Sequence, residues 1–188
     1  MSLLMTSFIN RRMEATGTGF ELINVIIDTP RFSRNKYKFD DLRQVFILNR
    51  VLPLGTSFPY DFGFIPQTKG EDGDPLDVLV LMDEPAFSGC LVRSRIIGIL
   101  VADQEEADGK VIRNDRIIAV AGAAQTYEDI HSLKDINRRV LTEIEHFFIY
   151  YNSLSNRKFR VIRYDTANKA QDLIKNSLRN SKKKSSAA

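Results

Sequence analysis

Asp72-Gly73-Asp74-Pro75-Leu76-Asp77-Val78-Leu79-Val80-Leu81 crowds three carboxylates into six residues and then passes without a break into a four-residue apolar run. At about 3.3 Å per residue, the acidic part spans less than about 20 Å. Carboxylates this close raise one another's pKa, and convergence on Mg²⁺ or Ca²⁺ turns their repulsion into coordination. Pro75 drives Asp74 towards extended geometry and Gly73 permits the turn before it, so the three side chains are displayed rather than wound into a helix. Val78 to Leu81 reads as a short strand buried on both faces, which sets Asp77 at the mouth of a rigid element. The spacing is not that of an EF-hand. Leu76 stands where the third oxygen ligand belongs, and Asp83 where that loop needs its bidentate Glu.

Outward from this strand, short apolar and β-branched runs alternate with Gly, Pro and Asp: Leu22 to Asp28, Lys36 to Phe39, Gln44 to Val51, Phe62 to Ile65, Asp77 to Met82, Leu91 to Arg95, Arg95 to Val101 and Arg116 to Val120. Strands so closely spaced form a barrel or a sandwich. Helices come late. Asp135 is a candidate N-cap, and Val140, Ile144, Phe147 and Tyr151 line one face of a helix of about four turns. A strand from Lys158 to Tyr164 and a second helix from Thr166 to Arg179 follow. The class is α+β.

A chain of 188 residues that is 43% hydrophobic suffices for one core and one domain. The division expected is an N-terminal extension over 1–20, a single domain over 21–180 and a disordered basic tail over 181–188. No run of about twenty apolar residues suggests a membrane span, and the first twenty residues lack the layout of a secretory signal, so a cytoplasmic protein is expected. Cys90 is the sole cysteine, and with His131 and His146 the only histidines a His/Cys zinc site is excluded. The net charge of +3 owes much to Lys175, Arg179, Lys182, Lys183 and Lys184. Without interleaved aromatics this tail does not point to nucleic acid.

Phe58-Pro59-Tyr60-Asp61-Phe62-Gly63-Phe64-Ile65-Pro66-Gln67-Thr68, followed by Asp72 to Leu81, resembles the core of the soluble family I inorganic pyrophosphatases. Val25 to Pro30, Lys36-Tyr37, Arg50, the segment ending in Asp103, Ile117 to Val120 and His146-Phe147-Phe148 recur in the family's order, so the resemblance covers about residues 21 to 165. It implies a small closed OB-like barrel with two helices packed outside, and Mg²⁺-dependent hydrolysis of inorganic diphosphate, in a homo-oligomer, typically a hexamer in bacteria. It further implies Asp72, Asp77 and Asp103 as metal ligands and Asp74 as the residue that takes a proton from the attacking water. Lys36, Arg50 and Tyr151 would grip phosphate oxygens.

The chain departs from the family around this site. Lys38 stands where an acidic residue is usual, Phe58 and Phe62 replace two tyrosines, Asp28 replaces a glutamate, and the family's Tyr-Lys pair is Tyr151-Asn152. Lys38 is expected to supply the phosphate contact that Asn152 cannot. The family's D-x₄-D-x-K leads straight into the strand that begins at Ile117, and here the stretch is longer. Counting forward from Asp103 selects Asp108 and Lys110; counting back from the strand selects Asn114, Asp115 and Arg116. We favour Asp115 as metal ligand and Arg116 as phosphate ligand, with Asp108-Gly109 at a hairpin tip and Glu105, Glu106 and Asp108 on a solvated face. Two other functions stay open: a diphosphate-binding protein or related phosphoanhydride hydrolase on the same fold, and, from another class, a basic barrel that binds nucleic acid independently of Mg²⁺.

Overall fold

The computed structural model describes residues 14–15 and 21–185. Ten strands are found among them: β1 (Glu14–Ala15), β2 (Glu21–Thr29), β3 (Asn35–Asp40), β4 (Val45–Val51), β5 (Asp61–Phe64), β6 (Asp77–Leu81), β7 (Leu91–Glu105), β8 (Val111–Arg113), β9 (Arg116–Ala121) and β10 (Lys158–Asp165). Helix α1 spans Arg138–Ser153 and α2 spans Ala167–Ser185. In the main sheet the path β2-β5-β6-β9-β7 closes on itself because β2 also pairs with β7. The result is the small barrel expected, with β10 and the β8 hairpin attached to β7 and the helices outside.

Alternation sorts the barrel residues into two layers. Val78 and Val80 belong to one buried cluster with Ala170 and Ile174 of α2, whereas Leu79 and Leu81 belong to another with Ile144 and Phe148 of α1. Burial on both faces explains the unbroken apolar run of β6. β5 and β2 approach closely at Gly63, where a Cβ would overlap the Ile26 carbonyl oxygen and lie 2.9 Å from Ile27 Cα. Both are backbone atoms and cannot swing aside. Gly63→Ala is therefore expected to destabilise the protein by about 3 kcal/mol, measured as a lower urea midpoint. An unchanged midpoint would show that the barrel yields at this seam.

The two runs read as Leu91 to Arg95 and Arg95 to Val101 are one continuous fifteen-residue strand, bent by a register shift between Ile96 and Gly98 where it pairs with β9. Asp135 does not cap α1. Its carboxylate accepts from the backbone N–H groups of His131 and Ser132, closing a 3₁₀ turn at Leu133–Asp135, and Asn137 caps the helix by accepting from Arg139 N at 2.9 Å. Helix α2 runs through Ser185, beyond the end expected at Arg179 and into the stretch read as a disordered tail. Most of the N-terminal extension and residues 186–188 lie outside the described residues. Among the described residues, no helix is long and apolar enough to cross a membrane.

Candidate active site

The hairpin β3–β4 forms its own two-stranded sheet and, with the Asp72–Asp77 segment, the β7–β8 hairpin and the end of α1, bounds a cleft of about 880 Å³. Asp72, Asp74 and Asp77 line it together with Lys36, Lys38, Arg50, Arg116 and Tyr151. In the acidic loop, Gly73 adopts φ of +89° and Asp72 Oδ1 accepts from Asp74 N at 3.1 Å, so the turn is fixed by the side chain it displays. Recession into the cleft, then the charges on Asp77 and Asp74, raise the Asp72 pKa. Burial raises that of Asp77, opposed by Arg116 and Lys36.

Strand register explains the Asp77–Arg116 contact. β6 and β9 run parallel with Val78 beside Ile117, so the residue preceding each pair partner sits at the same end of the barrel. Arg116 Nη1 lies 2.8 Å from Asp77 Oδ2, and its guanidinium carbon sits 5.1 Å from the ring centre of Phe148 and 5.4 Å from that of Phe159. Arg116 is 4% exposed, and its Nε is buried without a hydrogen-bond partner.

Lys36 and Arg50 face each other across β3–β4. Lys36 Nζ donates to both oxygens of buried Asp28, at 2.8 and 2.7 Å, and stands 4.4 Å from the ring centre of Phe62. Arg50 leans over Tyr151, 5.6 Å from its ring centre, and its Nη1 is buried without a partner. Burial pushes the Tyr151 hydroxyl above its ordinary range, with Arg50 opposing. Phe58 is wholly buried against Phe147 and Tyr151, whereas Phe62 lines the cleft and offers only a ring face to the cations above it.

Burial, partly offset by Lys36, lifts Asp28 from 3.8 to about 6. The folded protein thus holds this proton more tightly than the unfolded chain, and the group's contribution to stability falls as pH rises between about 4 and 6, by about 3 kcal/mol in all. Asp28→Asn removes that dependence. The stability of the native protein relative to the variant should decline across this interval in urea titrations; a constant difference would mean that Asp28 is ionised throughout.

Residues 25–182 match the family profile described as inorganic pyrophosphatase. The inorganic pyrophosphatase of Synechocystis sp. is 38% identical over 161 residues, covering 86% of this chain and 92% of the relative. The chain belongs to the inorganic pyrophosphatase family. The crystal structure of the Thermus thermophilus inorganic pyrophosphatase superposes with a TM-score of 0.79 at 32% identity, covering 90% of this chain and 96% of that one. That from Neisseria gonorrhoeae gives 0.80 at 27%, covering 93% and 99%.

Against this pyrophosphatase background, the structure does not bring Asp103 or Asp115 to the cleft. Asp103 pairs with Arg113 at 3.2 Å and Arg160 at 3.3 Å, and Asp115 accepts from Ala102 N at 2.9 Å and pairs with Arg113 at 2.7 Å. The period of two along β7 turns Asp103 to the back of the wall and its neighbour Gln104 to the front, where Asn114 donates to Gln104 Oε1 at 2.9 Å. Nothing in the sequence singles out Gln104; Asn114 is selected by the count back from the strand, where it takes the acidic place of D-x-K, and it lines the cleft in place of the favoured Asp115. Asp108-Gly109 does form the β7–β8 turn, with Gly109 at φ of +83°. Glu106 and Asp108 line the cleft, where Asp108 is exposed as expected and Glu106 is half-buried, while Glu105 points away to Lys158. Lys38 Nζ bridges both oxygens of Asp74 at 2.8 Å. The Asn152 amide turns back to the Phe148 carbonyl at 2.8 Å rather than into the cleft.

Proposed function

We infer that the protein hydrolyses inorganic diphosphate to two phosphates. The observation that carries this reading is the convergence, in one cleft, of the Asp72–Asp74–Asp77 loop with cations from three separate elements, Lys36, Arg50 and Arg116. Splitting a phosphoanhydride requires neutralised charge, an activated water and a stabilised leaving phosphate. Asp72 and Asp77 are the donor set for Mg²⁺: burial first and then the charge on Asp77 raise the Asp72 pKa, and a divalent ion relieves both. When bound, such an ion supplies charge neutralisation and lowers the pKa of water.

The chain's own groups do the rest. Asp74 projects from an exposed turn and takes the water's proton. Arg50 and Arg116 line the cleft and bring their guanidinium charge to phosphate oxygens. Lys36 is held in place by Asp28 and adds charge beneath the substrate. The Tyr151 hydroxyl, kept protonated by burial, donates. The family relationship supports a homo-oligomer in the cytoplasm, and light scattering reads the oligomeric state directly.

The purified protein is expected to release phosphate from diphosphate with Mg²⁺ and to lose that activity in EDTA. Binding of the non-hydrolysable imidodiphosphate without any turnover would favour the second reading, a diphosphate-binding protein, which the phenyl ring of Phe62 and the inward-turned Asn152 amide motivate.

A further inference from the structure

The wall opposite the acidic loop is a continuous hydrogen-bonded chain rather than a row of carboxylates. Arg157 Nε pairs with Glu106 Oε2 at 2.7 Å. Glu106 accepts from the Gln104 amide, Gln104 accepts from Asn114 at 2.9 Å, Asn114 accepts from Arg116, and Arg116 reaches Asp77 at 2.8 Å. The oxygens of the two amides are occupied by this chain and turned towards its donors. Arg116 is further tied by the Asp115 carbonyl at 3.0 Å and enclosed by aromatic rings, so its charge is fixed beside Asp77. Lys38 differs. Both it and Asp74 are about half exposed, at 49% and 54%, and an ion pair so wet contributes little and exchanges readily. Among the described residues, no group of three acidic, His or Cys side chains is poised to enclose a cation.

We propose that Arg116 is a permanent counter-cation in this cleft, clamped by the Arg157–Glu106–Gln104–Asn114 chain, so that the site takes a diphosphate-class anion with a single resident divalent ion per chain, at Asp72 and Asp77. This rests on the proposed diphosphate reading for the identity of the anion, but not for the ion count. A second ion would need oxygen donors across from the triad; the amides there have given theirs to arginine and to each other, Glu106 is engaged by Arg157 and Gln104, and Asp108 accepts from Lys110 N at the hairpin turn. Arg116 and Arg50 both line the cleft, so an anion entering it meets two guanidinium charges with no metal required.

The test counts Mn²⁺ on the full chain from the electron paramagnetic resonance signal of the free ion, with no anion present. One ion per chain is expected, lost in Asp72→Ala, and Gln104→Asp with Asn114→Asp is expected to add a second. If the double variant fails to fold by circular dichroism, Asn114→Asp alone serves, since it changes one amide to a carboxylate of the same size. Two or more ions on the native protein that vanish in Asp72→Ala, or an unchanged count when folded carboxylate variants are used, would overturn the proposal. In a second arm, imidodiphosphate is titrated calorimetrically in EDTA. Affinity within about tenfold of that with Mg²⁺ is expected, and complete loss of binding without metal would also overturn it. An absence of diphosphate hydrolysis under every condition would instead remove the functional reading and leave the ion count standing.

Discussion

Asp74→Asn is expected to slow phosphate release from diphosphate by about a thousandfold, within the range by which a positioned general base accelerates a reaction. The substitution keeps the side chain's shape and its capacity to accept one hydrogen bond, and removes the charge that draws a proton from water. Asp74 lies in an exposed turn whose backbone is organised by other groups, Asp72 Oδ1 on its N–H and Gly70 N on its carbonyl at 2.7 Å. The urea midpoint should therefore stay where it is while the rate collapses. The partner left behind, Lys38, is half exposed and costs little to leave unpaired. If the variant kept its rate within about tenfold, Asp74 would be a spectator and the proton would have to go to another cleft carboxylate.

Arg116→Leu should be the most damaging substitution for stability, by about 3 to 5 kcal/mol. It leaves the Asp77 carboxylate without its partner in a site where burial already raises its pKa, and it removes a cation packed over the rings of Phe148 and Phe159. Adding Asp77→Leu to the variant should restore part of the loss, because two apolar groups of matching size avoid the unpaired charge. Denaturant titration of both variants gives the two numbers needed. A loss below about 1 kcal/mol in the single variant would mean that water reaches Asp77 and replaces the guanidinium.

Strand β6 and its loop of carboxylates were legible because they are local, whereas the choice of barrel over sandwich came only from the family resemblance. Val78 to Leu81 announces a doubly buried strand by its own composition, and Gly73 and Pro75 announce the displayed turn by their backbone limits. The wall that faces the loop was not legible in the same way. Whether Asp103 or Gln104 enters the cleft depends on the parity of β7, and that parity is reset by the irregularity between Ile96 and Gly98, which arises from pairing with a strand twenty residues away or so in sequence. The apolar stripe of α1 was equally clear, but its start was not: Asp135 and Asn137 are both good caps, and the choice fell to the 3₁₀ turn that engages Asp135 first. Phe58 and Phe62 illustrate the remaining ambiguity, since one is wholly interior and the other forms part of the cleft floor, and no pattern in Phe58-Pro59-Tyr60-Asp61-Phe62 tells them apart.

The side-by-side parallel run of β6 and β9 also bears on how quickly the protein reaches its working form. Neighbouring strands that point the same way cannot be joined by a tight turn, and here the chain must first lay down the long β7 and its β8 return before β9 can arrive beside β6. Hairpins such as β3–β4 close in about 1–10 microseconds, whereas contacts between distant segments carry the entropy of a large closed loop and set the slow step. The junction of Asp77 and Arg116 is such a contact. Until that pairing forms, the carboxylates of the loop are an ordinary acidic turn, and only with it does the molecule acquire a place for its substrate.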